Sequence, residues 1–275
     1  MVTFNPTDSG VLRKDFYLGT RKLQMTGLYS DKNAKIKNGT FYYYYSNGRI
    51  EKRGRCVDDK RQGLWLEFHQ NGMMKDSTVF ENDEAVGTSK GWHPNGFVKD
   101  SVVIDKGEAT AVYWYDNGVV ASTGHYVKHK KVGQWEYFHK NGKKAAAETY
   151  EADKLVSGQY FNENGEEGKG IGDRAAEFKG GSSAWKKFLR KNLEFPEQYK
   201  LKNGNEVTVV ISAVIDEDGN VTDVFVDVPF DPRFDDIAVK IMKKSPPWVP
   251  AISYNRRVKF SVRQPITFVQ DEGGE

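Results

Sequence analysis

Six Asn-Gly pairs recur at near-constant spacing: Asn47-Gly48, Asn71-Gly72, Asn95-Gly96, Asn117-Gly118, Asn141-Gly142 and Asn164-Gly165, set 24, 24, 22, 24 and 23 residues apart. A fixed period of this length marks a repeat array, in which each unit buries its apolar face only against its neighbours. Each pair follows an aromatic residue by three positions, at Tyr44, Phe68, Trp92, Trp114, Phe138 and Phe161. Nine residues after the Asn stands a mostly apolar residue: Cys56, Phe80, Ile104, Tyr126 and Tyr150. Asn-Gly between aromatic or β-branched runs is a strong hairpin signal, because both turn residues accept positive φ. Gly39, Gly63, Gly87 and Gly133, eight residues before the Asn, suggest a second turn, so each repeat reads as two strands and two turns. A degenerate first copy is expected with Tyr17 in the aromatic place and Tyr29 in the apolar one.

Composition narrows the function classes. Apolar residues are 38% of the chain and aromatics 13%, so burial leans on Tyr, Phe and Trp carried by short strands. Up to position 170 there are 25 basic and 22 acidic residues, and beyond it 16 of each, which argues against a nucleic-acid partner. Cys56 is the one cysteine, at an apolar repeat position, and reads as a buried structural thiol rather than a nucleophile. No run of about 18 apolar residues occurs, and Met1–Gly10 lacks the pattern of a signal peptide, so a soluble chain is expected.

The segment from about 15 to 166 resembles the MORN-repeat variant of bacterial YwqK-type proteins, most clearly in Gly63-Leu64-Trp65 through Asn71-Gly72 and Gly133-Gln134-Trp135 through Asn141-Gly142. The resemblance implies an antiparallel β-meander with a partly open aromatic face, serving as scaffold or contact surface. A cytosolic antitoxin-like binder and a lipid-associated membrane-surface scaffold stand as alternatives.

Features that suggest chemistry have simpler readings. His69, His93 and His139 each sit two residues before an anchor Asn. Equivalent residues in adjacent copies are about 10 Å apart when strands are about 4.8 Å apart, too far to share a zinc whose ligands each lie about 2.1 Å away. A polar residue entering a turn is expected instead, and no metal site. Gly168-Lys169-Gly170-Ile171-Gly172 follows no strand and opens no helix, so it reads as linker rather than phosphate loop. No Ser, His and acid constellation stands out, so no enzyme activity and no cofactor are expected.

The period breaks after Asn164. A repeat domain over 1–166, a linker over 167–175 and a second domain over 176–270 are expected. Ser182 or Ser183 can cap a helix with Trp185, Phe188, Leu189 and Leu193 on one face, stopped by Pro196. From Glu206 to Asp216 every odd position is apolar, a strand with one buried face, and Asp218-Gly219-Asn220 turns it into a return strand with Val224, Val226 and Val228. Asp231-Pro232 opens a helix striped by Phe234, Ile237, Ala238 and Ile241. A last strand is expected from Arg257 to about Phe268, with Val258, Phe260 and Val262 inward and Arg257, Lys259, Ser261 and Arg263 outward. The fold class is therefore mainly β plus α+β: a meander of hairpin repeats, then a small domain ordered helix, strand, strand, helix, strand.

This second domain resembles the TonB C-terminal domain. The resemblance rests on Phe178-Lys179-Gly180-Gly181, Phe195-Pro196, Asp218-Gly219-Asn220-Val221, Asp231-Pro232, Trp248, Pro250 and Pro265-Ile266-Thr267-Phe268 in that order. It implies a last strand that captures an extended peptide of an outer-membrane receptor or other envelope protein by strand addition, placing the site at Arg257, Val258, Lys259, Phe260, Ser261, Val262 and Arg263. It also implies a periplasmic or cell-envelope adaptor if a leader is removed, a cytoplasmic protein otherwise, with only indirect membrane contact. The membrane helix and Pro-rich spacer of energy-transducing TonB proteins have no counterpart among these residues, so coupling to the proton gradient is not implied.

Overall fold

The computed structural model describes residues 1–196, 199–201 and 204–270, which fall into two compact units, Met1–Gly168 and Lys169–Glu275. The first is a meander of fifteen strands hydrogen-bonded in sequence order, each antiparallel to the next. Its strands are β1 (Val2–Thr7), β2 (Gly10–Phe16), β3 (Leu23–Tyr29), β4 (Lys37–Tyr44), β5 (Ile50–Val57), β6 (Lys60–Phe68), β7 (Met74–Glu81) and β8 (Glu84–Trp92). They continue as β9 (Val98–Asp105), β10 (Glu108–Trp114), β11 (Val120–Val127), β12 (Lys130–Phe138), β13 (Lys144–Glu151), β14 (Lys154–Phe161) and β15 (Glu167–Gly168).

The Asn-Gly signals form one row of turns. At Asn47 the chain closes with Gly48 N–H donating to the Tyr45 oxygen (2.8 Å) and Tyr45 N–H to the Arg49 oxygen (2.9 Å), with Gly48 at φ 90°. The Asn Oδ1 accepts from the backbone N–H two residues on, while its Nδ2 donates to the turn of the following repeat: Asn71 to Pro94 O (2.8 Å), Asn95 to Asp116 O (2.7 Å), Asn141 to Glu163 O (2.9 Å). A parallel ladder runs from the residue two before each of the first five Asn to the carbonyl of the next repeat's aromatic. Tyr45 reaches Phe68 (2.8 Å), His69 Trp92 (2.8 Å), His93 Trp114 (2.9 Å), Tyr115 Phe138 (2.7 Å) and His139 Phe161 (2.9 Å). A carbonyl only accepts, so each histidine carries its hydrogen on Nε2.

The same ladder corrects the register of the first copy. Tyr17 donates to the Tyr44 oxygen (2.6 Å), so it holds the bonding place of Tyr45, and Phe16 takes the aromatic place. The loop is one residue longer there, closed by Tyr17 N–H to the Lys22 oxygen and Arg21 N–H to the Tyr17 oxygen. Counting from Thr20 therefore shifts the frame by one.

The glycines expected at the second turn do something else. Gly39, Gly63, Gly87 and Gly133 lie inside β4, β6, β8 and β12 at positive φ. They sit at bulges: across β5 and β6 the pairing steps from Arg53↔Leu66 to Arg55↔Gln62. The second turns are two-residue hairpins without a leading glycine, Asp58-Asp59, Asn82-Asp83, Lys128-His129 and Ala152-Asp153, all at positive φ. Aspartates in this row clip neighbouring hairpins together, since Asp59, Asp83 and Asp153 Oδ1 accept from the N–H of Lys37, Arg61 and Lys131 (2.9, 2.9 and 2.8 Å). The Arg61 amide and guanidinium hold the Asp83 carboxyl below the usual range.

One face of the sheet packs rings onto glycines of the neighbouring strand. Trp65 lies over Gly54 and Trp135 over Gly124, and each indole N–H donates to a backbone oxygen, Arg55 (3.1 Å) and His125 (3.2 Å). Cys56 is buried beside Phe41 and Trp65, and burial raises its thiol pKa. Where Ser89 replaces the ring, a polar patch appears: Thr78 Oγ1 bonds Asp76 Oδ1 (2.8 Å) and Ser89 Oγ (2.6 Å).

The second unit contains α1 (Gly181–Asn192), β16 (Glu206–Ile215), β17 (Val221–Val228), α2 (Pro232–Lys244), β18 (Ala251–Ser253), β19 (Arg256–Val258) and β20 (Phe260–Val269). Strands β17, β16 and β20 form one sheet in that order. Val209, Ile211, Ala213 and Ile215 of β16 are buried as the alternation predicts, under Phe234, Ala238, Ile241 and Met242 of α2 together with Trp185 and Trp248. Asp231 caps α2 by accepting from Arg233 N–H (3.0 Å), with Pro232 in the first turn. No serine caps α1. Its N-cap is Gly180 in the left-handed region, and Gly181 N–H closes onto the Phe178 oxygen (2.7 Å). The Phe178-Lys179-Gly180 turn thus replaces a side-chain cap.

The last strand also differs from expectation. β18 and β19 make a separate small hairpin whose turn residues Tyr254 and Asn255 have φ of 50° and 59°, and the sheet strand proper begins only at Phe260. Residues 171–174 are bonded into this hairpin. Ile171 N–H donates to Asn255 Oδ1 (2.8 Å), Asp173 accepts from Ser253 Oγ (2.9 Å) and Tyr254 N–H (3.0 Å), and Arg174 pairs with Ile252.

Candidate partner-binding edge

Among the described residues β20 is the last strand of its sheet. It pairs with β16 without a bulge from Ile215↔Phe260 to Glu206↔Val269, and no described strand lies on its other side. Its side chains alternate, with Ile266 and Phe268 buried, Val262 and Gln264 half-buried, and Ser261, Arg263, Pro265, Thr267 and Val269 exposed. A strand in this position offers backbone donors and acceptors to an extended chain.

The structure divides the seven residues expected at the site. Arg257 and Val258 pair with Ile252 and Ala251 in the small hairpin. Lys259 lies between the two strands, and Phe260, Ser261, Val262 and Arg263 open β20 opposite Ile215, Val214, Ala213 and Ser212. Phe260 is 38% exposed rather than turned into the core, because it stands where the strand begins. Arg263 points along the open face of the sheet, where its guanidinium pairs with Asp227 of β17 across Ser212. Neither Asp227 nor Pro265 carried a site assignment in the sequence. Asp227 becomes visible only once strand order is known, since it lies 36 residues from Arg263.

The repeat sheet offers a second kind of surface. Leu64, Met73 and Phe97 are about half exposed, and Met73 and Phe97 each lie against the Asn-Gly turn of the next repeat, at Gly96 and Gly118. The three ladder histidines point into backbone carbonyls, and among the described residues no group of three or more His, Cys, Asp or Glu is placed to hold a metal ion. Among the described residues no helix is long and apolar enough to cross a membrane.

The architecture defines a class: a hairpin-repeat sheet in one chain with a small α+β domain that ends on an edge strand. Within that class, residues 191–269 match the family described as Gram-negative bacterial TonB protein C-terminal, and residues 108–128 and 131–152 match the MORN repeat variant. The chain thus carries both domain kinds that its motifs resemble. Both are non-enzymatic kinds of domain, and TonB C-terminal domains are protein-interaction modules, which supports a protein partner and a role in the Gram-negative envelope. No curated protein matches the chain. A crystal structure of accessory secretory protein 1, 2 and 3 in Streptococcus pneumoniae overlaps 41% of this chain and 19% of its own, at 14% identity and a TM-score of 0.16, a level that defines no common fold.

Proposed function

We propose that the C-terminal domain receives an extended segment of an envelope protein by strand addition along the outer side of β20, and that the repeat sheet serves as spacer and contact surface. The observation that carries this reading is the position of β20 at the end of its three-stranded sheet. Phe260, Ser261, Val262 and Arg263 are the docking residues, with Arg257, Val258 and Lys259 flanking them. Main-chain bonds along such an edge supply affinity, and the alternating side chains supply choice. An outer-membrane receptor is the partner class that joins this chemistry to transport. The exposed Leu64, Met73 and Phe97 give the repeats apolar contacts of their own.

The test is a titration of isotope-labelled full-length protein with extended receptor-derived peptides, followed by NMR. Shift changes concentrated at Phe260–Gln264 are expected. An unchanged β20 at millimolar peptide would remove the proposal.

A further inference from the structure

Pro265 stands in the middle of β20, opposite Val210. Proline has no N–H, so it fits only where a strand residue makes no ladder bond to its neighbour. Pro265↔Val210 is therefore a non-hydrogen-bonded pair, and the pairing then alternates outward from it. Two further contacts agree with that phase. Gln270 N–H donates to the Asn205 oxygen (2.7 Å), which puts even-numbered β20 residues in the hydrogen-bonded pairs. Thr208 and Thr267 bring their hydroxyls to 2.8 Å, as suits the closer spacing of a non-hydrogen-bonded pair. The backbone groups of Ser261, Arg263, Pro265, Thr267 and Val269 thus face away from β16.

Along that outer row every residue has a carbonyl, that of Pro265 accepting from Gln264 Nε2 (3.4 Å), but Pro265 has no donor. A partner strand laid over the whole of β20 would leave one carbonyl facing the proline ring without a bond, which costs more than a bond never formed in water. We propose, resting on the strand-addition reading above, that Pro265 is a stop that fixes the register of docking. The partner segment is then short, about five residues, and pairs with Ser261 and Arg263, each of which can both donate and accept. Its central side chain falls beside Val262 on the helix-covered face, next to half-exposed Phe260, so an apolar residue fits there. The Thr267–Val269 half of the edge stays unpaired.

The experiment uses full-length protein and its Pro265→Thr variant with an extended probe, acetyl-Lys-Thr-Val-Thr-Val-Thr-Val-Thr-Lys-amide, reading amide hydrogen exchange by NMR. Wild type is expected to gain protection at Ser261 and Arg263 but not at Thr267 or Val269. In the variant, which restores the missing donor on the outer side, protection extends to Thr267 and binding tightens about fivefold. Equal protection at all four amides in wild type, with unchanged affinity in the variant, would overturn the stop and leave strand addition standing. No protection at any of the four in either protein would overturn both.

Discussion

The Nε2 atom of His139 lies 2.9 Å from the carbonyl oxygen of Phe161, one repeat further along the chain. The same bond is made by tyrosine hydroxyls at Tyr45 and Tyr115, so the place selects a donor of a certain reach rather than a metal ligand. At the half-buried His69, substitution by tyrosine should leave the urea midpoint close to that of wild type. His69→Leu removes the donor while the Trp92 carbonyl stays in place, at a cost of about 1 kcal/mol. Equal midpoints for the two variants would contradict the ladder.

Gly54 and Gly63 answer differently to alanine. A Cβ on Gly54 would lie 2.1 Å from a ring carbon of Trp65, so the indole must leave its seat, with an overpacking cost of about 1–3 kcal/mol. Gly63 has nothing within 4 Å of such an atom but holds φ of 72°, so its cost is backbone strain, about 1 kcal/mol. Denaturant unfolding, with near-ultraviolet dichroism of the tryptophans, separates the two: only Gly54→Ala should change the aromatic signal.

Asp76 gives the sheet a pH-dependent component. Burial first, then the nearby Glu67 and Asp100 charges, push its carboxyl pKa up, against the bond from Thr78 that lowers it. The folded state therefore binds this proton more tightly than the unfolded state. Its contribution to stability is present below the ordinary carboxylate pKa and is lost as pH rises through the raised one. Asp76→Asn, which keeps an acceptor for Thr78, should raise the thermal midpoint at neutral pH, and the difference from wild type should shrink as pH falls through the carboxylate range. A difference that grows on acidification would contradict this sign.

Asp173 ties the start of the second unit to its small hairpin. Its two oxygens accept from Ser253 Oγ and Tyr254 N–H. Asp173→Ala should cost about 1 kcal/mol of local stability and speed amide exchange at Tyr254, while exchange in β16 stays unchanged.

The hairpin array was legible because its cause is local: Asn-Gly meets the conformational demand of a turn by itself, and the period repeats the demand six times. The bulge glycines were not, because a positive φ reads alike in a turn and inside a strand. The real second turns use Asp58-Asp59 and Lys128-His129, residue types that occur anywhere. The same blindness hid the Tyr254-Asn255 turn. Since Arg257 to Val262 alternates as one strand would, the small hairpin and β20 read as a single element, which places three of the seven expected site residues, Arg257, Val258 and Lys259, off the sheet edge. Alternation did read β16 correctly, because Val209, Ile211, Ala213 and Ile215 answer to one buried face. Asp227 facing Arg263 depends on strand order, which spacing alone does not carry.

Site-specific photocrosslinking distinguishes docking at the edge of β20 from docking on the repeats. A benzoylphenylalanine is placed singly at Ser261, at Thr267 or at Leu64 of the full chain, and adducts formed in the cell envelope are mapped by mass spectrometry to the partner's sequence. Docking at β20 predicts an adduct from position 261 that maps to one short extended segment of the partner, with little from 267. Adducts from position 64 alone, with none from 261, would rule out docking at β20 and move the binding surface to the repeats.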